Sequence, residues 1–134
     1  MRKILVVDDE LSVRDSLRMI FKKDCQVITA GNAKEAWEKI LTEEPDLIFL
    51  DILVPQRDGM EMLKEIRESH PLIPVIMLTA TKTMKTAVEA MKLGAQDYIT
   101  KPFDVEELKI IADKALESRD LKAENRRLQT EIEE

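Results

Sequence analysis

A single cysteine, Cys25, and a single histidine, His70, remove several kinds of chemistry at the outset. One thiol cannot form an intrachain disulfide, and no Cys/His spacing suits a zinc site. Three glycines in 134 residues are too few for a glycine-rich loop that cradles a flavin or nucleotide phosphate. No apolar run approaches the roughly 20 residues that span a bilayer. The start, Met1-Arg2-Lys3, leads into only four apolar residues before two aspartates, too short for a signal peptide. A cytoplasmic protein with no membrane contact is expected. Positive charge is also short, because 21 basic residues against 27 acidic ones leave a net charge of −6. With no basic helix either, nucleic acid is not an expected partner.

What the chain does contain supports a packed core. Hydrophobic residues make up 44% and charged residues 36%, and 134 residues suit one compact domain with a short extension. Short apolar runs rich in branched residues recur at Ile4–Val7, Val27–Thr29, Leu47–Leu50, Val75–Leu78 and Tyr98–Thr100. Several lack polar alternation, as expected of parallel strands covered on both faces. Between them lie stripes at helical spacing. These are Val13, Leu17, Ile20 and Phe21; then Ala33, Ala36, Trp37, Ile40 and Leu41; then Met60, Leu63 and Ile66 with Arg67 at the edge; then Ala87, Val88, Met91 and Leu93. Asn32, Asp58 and Asp104 each stand three residues before a glutamate and read as N-caps. Gly94 reads as the left-handed cap that ends the fourth helix. Strand followed by helix, repeated five times, predicts an α/β domain whose parallel sheet carries helices on both faces.

The last helix is longer than its sheet requires. From Val105 to Glu134 neither proline nor glycine interrupts the chain, which allows a helix of about 40 Å. Leu108, Ile111, Ala112 and Ala115 give its first half a packing face, and charge dominates beyond Leu116. The tail reads as heptads, with Ile111, Ser118, Asn125 and Ile132 on one seam position and Leu121 and Leu128 on the other; Lys114 is an exception. Leucine at the second position with asparagine at the first favours a parallel two-stranded coiled coil, so a homodimer is expected.

The polar residues that carry information sit at the carboxyl ends of the strands. Asp8 and Asp9 follow the first run, Asp51 the third, Thr79 the fourth and Lys101 the fifth. In an open parallel sheet, ligands bind at that edge, where strand order reverses. With order 2-1-3-4-5, strands one and three are neighbours, and Asp8, Asp9 and Asp51 share a pocket. Such crowded carboxylates call for protons or a cation, and an oxygen-only donor set suits Mg²⁺. Lys101 and Thr79 can serve phosphate oxygens there, which makes phosphoryl transfer onto a carboxylate chemically reasonable.

These motifs taken together resemble the receiver domains of two-component response regulators. They are Ile4-Leu5-Val6-Val7-Asp8-Asp9-Glu10, Asp46-Leu47-Ile48-Phe49-Leu50-Asp51-Ile52, Pro55 with Asp58-Gly59, Leu78-Thr79-Ala80, Gly94-Ala95-Gln96-Asp97-Tyr98 and Lys101-Pro102-Phe103. The resemblance covers about residues 1–120 and implies a flavodoxin-like (βα)5 doubly wound fold. It implies that Asp51 accepts a phosphoryl group from a sensor histidine kinase. Mg²⁺ would be held by Asp9, Asp51 and the backbone carbonyl of Leu53, with Asp8 acting through a water. Thr79 and Tyr98 match a switch pair, Lys101 the phosphate-contacting lysine, and its bond to Pro102 is typically cis in the family. Leu53 and Thr81 match positions that tune dephosphorylation, and an apolar Leu53 implies a phosphoryl lifetime of minutes or longer. The domain would be regulatory rather than an enzyme, beyond supporting its own phosphoryl transfer and autodephosphorylation.

A second resemblance lies in Ala123-Glu124-Asn125-Arg126-Arg127-Leu128, which is similar to the linker of NtrC-type activators of sigma-54 RNA polymerase. It implies a receiver over residues 1–117, a coiled-coil linker over 118–134, and an output domain in a longer parent chain. Another class of transcription factor is the alternative output. Two rival readings of the strand-end acids are weaker. A Mg²⁺-dependent phosphohydrolase would need a long cap insertion, and a silent receiver-like module would lack one of the acids, the threonine or the lysine.

Overall fold

A computed structural model describes residues 1–80 and 83–133, with side chains described as far as Leu128. Five strands alternate with five helices: β1 Arg2–Val7, α1 Leu11–Phe21, β2 Cys25–Ala30, α2 Ala33–Glu43, β3 Leu47–Asp51, α3 Gly59–Ser69, β4 Val75–Thr79, α4 Met84–Lys92, β5 Asp97–Thr100 and α5 Val105–Glu133. The sheet is parallel throughout, in the order β2-β1-β3-β4-β5. This is the doubly wound, flavodoxin-like architecture expected from the sequence.

The unalternated runs are buried on both sides, as their composition requires. Every residue of Leu47–Leu50 and Val75–Leu78 is fully buried. Ile4, Val6, Phe49, Ile76 and Leu78 face α1 and α5, where they meet Leu17, Phe21, Leu108, Ala112 and Ala115. Leu5, Val7, Leu50 and Met77 face the other way, against Ala36, Ile40, Met60, Leu63, Ile66 and Ala90 of α2, α3 and α4. The period of two along each strand sorts neighbouring side chains into these layers. Each fully buried aliphatic side chain contributes about 1.5–3 kcal/mol, so both layers hold the strand ends firmly.

The helix signals read from sequence are present. Asn32 accepts the Glu35 N–H at 2.9 Å, Asp58 the Met60 N–H at 2.9 Å and Asp104 the Glu106 N–H at 3.0 Å. Thr83 caps α4 by accepting the Thr86 N–H at 3.1 Å, a cap the sequence reading did not include. Gly94, at φ 101°, ends α4, and the Ala95 N–H returns to the Ala90 carbonyl at 3.0 Å. Two stripes differ from expectation. Leu41 is exposed at the end of α2. In α4 the buried residue is Ala90, whereas Val88 and Met91 are exposed. Both helices lie beside the edge strands of the sheet, α2 against β2 and α4 against β5.

Helix α5 is one continuous rod. Its sheet-facing line runs through Leu108, Ala112 and Ala115 to Arg119, which pairs with Asp46 at 3.3 Å. Arg2 adds a bond to Asp120, with Nη1 2.9 Å from Oδ1. Ile110, Leu121 and Leu128 lie within about 20° of one another on the opposite side of the rod, and all three are exposed. Asn125 is exposed beside them. Ile111, which the sequence places on both the packing face and the heptad seam, packs half-buried against its own core, as the first placement requires. Ser118 is half-buried as well. Sheet packing sets the rotation of the helix, so Ile110 rather than Ile111 shares the exposed side with Leu121 and Leu128. The side chain of Ile132 lies outside the described residues.

Candidate functional site

The parallel register brings the polar residues together. Val7 of β1 pairs with Leu50 of β3, so Asp8 and Asp51 leave the sheet side by side. Asp51 pairs with Leu78 and Thr79 with Thr100, which places Thr79 and Lys101 at the same edge. Asp51 and Thr79 are the last residues of their strands rather than the first beyond them. Asp9, Asp51, Leu53, Thr79 and Lys101 line one cleft of about 450 Å³, together with Glu10 and Thr86. Asp8 lies beneath it with no exposed surface; Asp51 is 5% exposed and Thr79 6%.

Lys101 organises the acids. Its Nζ donates to Asp8 Oδ2 at 2.6 Å and to Asp51 Oδ2 at 3.2 Å, and Glu10 Oε1 lies 3.5 Å away. Asp51 Oδ1 accepts the Leu53 N–H at 3.1 Å, so the main chain of Leu53 sits against the acid. Asp8 is held from its own backbone. Its Oδ1 accepts the Glu10 N–H at 2.9 Å, and its carbonyl accepts from the Arg14 guanidinium at 2.7 Å. The Lys101–Pro102 bond is cis.

Burial pushes the Asp51 carboxyl above the usual aspartate range, and the Asp8 charge adds to that; the Leu53 N–H and Lys101 pull the other way without cancelling it. Burial works to lower the Lys101 pKa, but the bond to Asp8 and the charges of Asp51 and Asp8 outweigh it and raise the value. One ammonium therefore faces several carboxylates. Carboxylate oxygens of Asp8, Asp9 and Glu10 come within 4.8 Å of one another. An oxygen-only, anion-rich cluster at the mouth of a cleft fits a hard divalent cation such as Mg²⁺. Glu10 belongs to this geometric cluster, although the sequence reading did not include it. Its position directly after two strand-end aspartates was the available signal.

Tyr98 is half-buried and packs against the core on the α2–α4 side. It pairs with Met77, two residues before Thr79, so Thr79 and Tyr98 present their side chains to the same face of the sheet. Thr81 lies outside the described residues. The sequence marks Gly59 only as a member of the Asp58-Gly59 motif, yet the loop after Asp51 depends on it. A Cβ there would lie 2.4 Å from the Ile52 carbonyl oxygen and 2.6 Å from that of Asp51. The Gly59 N–H also bonds the Ile52 carbonyl at 2.9 Å, so a larger residue would displace the strand end that carries Asp51.

Known proteins are similar to this chain in sequence and in fold. Regulatory protein AtoC of Escherichia coli (strain K12) is 40% identical over 127 residues, covering 94% of this chain and 28% of that protein. The crystal structure of NtrX from Brucella abortus in complex with ADP superposes with a TM-score of 0.89 at 38% identity, covering all of this chain and 30% of NtrX. A CheY-like receiver domain protein from Methanospirillum hungatei JF-1 superposes with a TM-score of 0.85 at 28% identity, over 91% of this chain and 98% of its own. The chain thus spans less than a third of AtoC and of NtrX, but nearly the full length of the crystallised CheY-like receiver domain protein. The response regulator receiver domain family matches residues 4–113, which take in β2 to β5, β1 from Ile4 onward and each of the strand-end acids. The chain belongs to the response regulator receiver domain family.

Proposed function

We propose that the domain is a phosphoacceptor switch in which Asp51 takes a phosphoryl group from the phosphohistidine of a sensor kinase. The observation that carries this reading is the convergence of Lys101 on Asp8 and Asp51 inside the cleft. In the transfer, an Asp51 carboxylate oxygen bonds to phosphorus as the P–N bond to the donor imidazole breaks. The electron pair leaves with the imidazole nitrogen, which then takes up a proton. Lys101 offers charge to the phosphoryl oxygens and Thr79 offers a hydroxyl. Bound Mg²⁺, held by Asp9, Asp51 and the Leu53 carbonyl with Asp8 acting through water, would neutralise developing charge on the phosphoryl group. Leu53 is 78% exposed and carries no group that could orient an attacking water, which supports a phosphoryl lifetime of minutes or longer.

Phosphorylation would change the partners available to Thr79 and Lys101 and so bias the Thr79–Tyr98 pair between two states. In this reading the domain is regulatory, catalysing only its own phosphorylation and dephosphorylation. The receiver comprises residues 1–117, and residues 118–134 form a dimerising coiled-coil linker through Leu121, Asn125, Leu128 and Ile132. The likeness to AtoC and NtrX, both much longer, supports an output domain in a longer parent chain, of the NtrC-type sigma-54 activator class. Among the described residues no helix is long and apolar enough to cross a membrane, and we place the protein in the cytoplasm.

Acetyl phosphate with Mg²⁺ tests the central step. The parent gains the mass of one phosphoryl group, while Asp51→Asn and the parent treated with a chelator do not. Equal labelling of Asp51→Asn would remove Asp51 as the acceptor.

A further inference from the structure

The first turn of α2 is satisfied from an unexpected place. A helix start leaves several amide donors without intrahelical partners. In α2 only the Glu35 N–H is met locally, by Asn32. The Ala33 N–H donates to the Pro55 carbonyl at 3.2 Å, and the Lys34 N–H donates to Gln56 Oε1 at 3.1 Å. Both acceptors belong to the loop that follows Asp51. Gln56 reaches this position with φ 81°, a left-handed backbone that a residue with a Cβ adopts only against a steric penalty.

The same helix start also touches the other acid loop. The Gly31 N–H bonds Glu35 Oε2 at 2.9 Å. A Cβ on Gly31 would lie 3.2 Å from Arg14 Nη1, the atom that donates to the Asp8 carbonyl. Residues 30–35 are therefore wedged between the loops of Asp8 and Asp51. At its far end the Asp51 loop is closed by Gly59 on Ile52. Leu53 lies between these two fixings.

We propose that Gln56 is a positioning residue for the metal and phosphoryl site, holding the Leu53 main chain in place by accepting the Lys34 amide. The inference rests on the reading of Leu53 as a metal ligand. The Leu53 N–H already bonds Asp51, so a loop freed from α2 would loosen both the acceptor carboxylate and the carbonyl beside it.

The test compares the parent with Gln56→Gly, Gln56→Ala and Gln56→Glu. Glycine relieves the backbone and deletes the acceptor, so that variant stays folded. Glutamate keeps an acceptor oxygen at a helix start that favours negative charge. Amide exchange at Lys34 and Leu53 is read by NMR, and Mg²⁺ is titrated against the amide shifts. Glycine and alanine are expected to speed exchange at both amides and to weaken Mg²⁺ binding about tenfold, with glutamate within about twofold of the parent. Glycine matching the parent in Mg²⁺ affinity, or glutamate failing as glycine does, would overturn the proposal. A parent that binds no Mg²⁺ and takes no phosphoryl group would instead overturn the functional reading beneath it.

Discussion

The rim of the sheet buries charge, and the tail of α5 exposes leucine. Asp8 and Asp51 are 0% and 5% exposed, whereas Leu121 and Leu128 are 61% and 42% exposed. Each region reverses the usual sorting of side chains, and each reversal is informative because folding alone gains nothing from it. At the rim the anomaly is contained within the fold. Lys101 bridges the two acids, and strands on both sides lock their positions. On the tail no part of the described chain covers the leucines. A buried anion looks for a cation, and an exposed apolar line at helical spacing looks for another helix.

Changes inside and outside the packed half of α5 separate the two regions most sharply. Leu108→Ala should cost about 2–5 kcal/mol in chemical denaturation, because Leu108 is fully buried against the sheet. A loss under about 1 kcal/mol would mean that the sheet-facing line contributes no more than the tail. Leu121→Ala with Leu128→Ala should leave the dilute monomer's stability within about 0.5 kcal/mol of the parent. The same pair should raise the dissociation constant of the proposed dimer roughly a hundredfold in sedimentation experiments. An unaltered association would move the interface off the tail.

At the rim, the prediction runs opposite to ordinary mutational loss. Asp51→Asn should stabilise the metal-free domain at neutral pH by on the order of 1 kcal/mol, the usual size of a single-site effect. The folded-state pKa of Asp51 lies above its unfolded value, so its contribution is complete only when the group is protonated and is lost as pH rises through the raised value. The advantage of asparagine should therefore shrink as pH falls into the ordinary aspartate range. An advantage independent of pH would argue against charge burial as its cause. The smallest effect belongs to the surface pair at the junction. Arg2→Ala should cost less than about 1 kcal/mol. Arg2 lowers the Asp120 pKa, so that stability is present above the ordinary aspartate range and is lost as pH falls through the lowered value. Thermal melts across acid pH, in low and high salt, would show it.

The strands were legible because branched apolar runs with no alternation admit few alternatives, and Leu47–Leu50 is buried throughout. The rim was legible because a parallel sheet delivers strand-end residues to one edge, and Asp8, Asp51, Thr79 and Lys101 kept that regularity. The azimuth of α5 was legible in its first half and not in its tail. The packing face read from Leu108, Ile111, Ala112 and Ala115 is the one that meets the sheet, and what two heptads could not fix was the start of the exposed line, which runs from Ile110 rather than Ile111. The α4 stripe held only in part, since Ala87 and Leu93 are half-buried while Val88 and Met91 are exposed and Ala90 is the buried residue. Contacts between loops were also hidden. No periodicity connects Lys34 with Gln56, and no composition marks Gly59 as the residue on which the Asp51 strand end rests.

The borrowed amide partners of α2 impose an order on assembly. Residues 33–43 leave the ribosome well before residues 55 and 56, so during synthesis two amides at the helix start remain hydrated. An eleven-residue helix is marginal alone. The amino-terminal third of the polypeptide therefore acquires its final shape only when the segment that follows Asp51 docks beside it, and a truncation ending at residue 50 would leave this helix frayed.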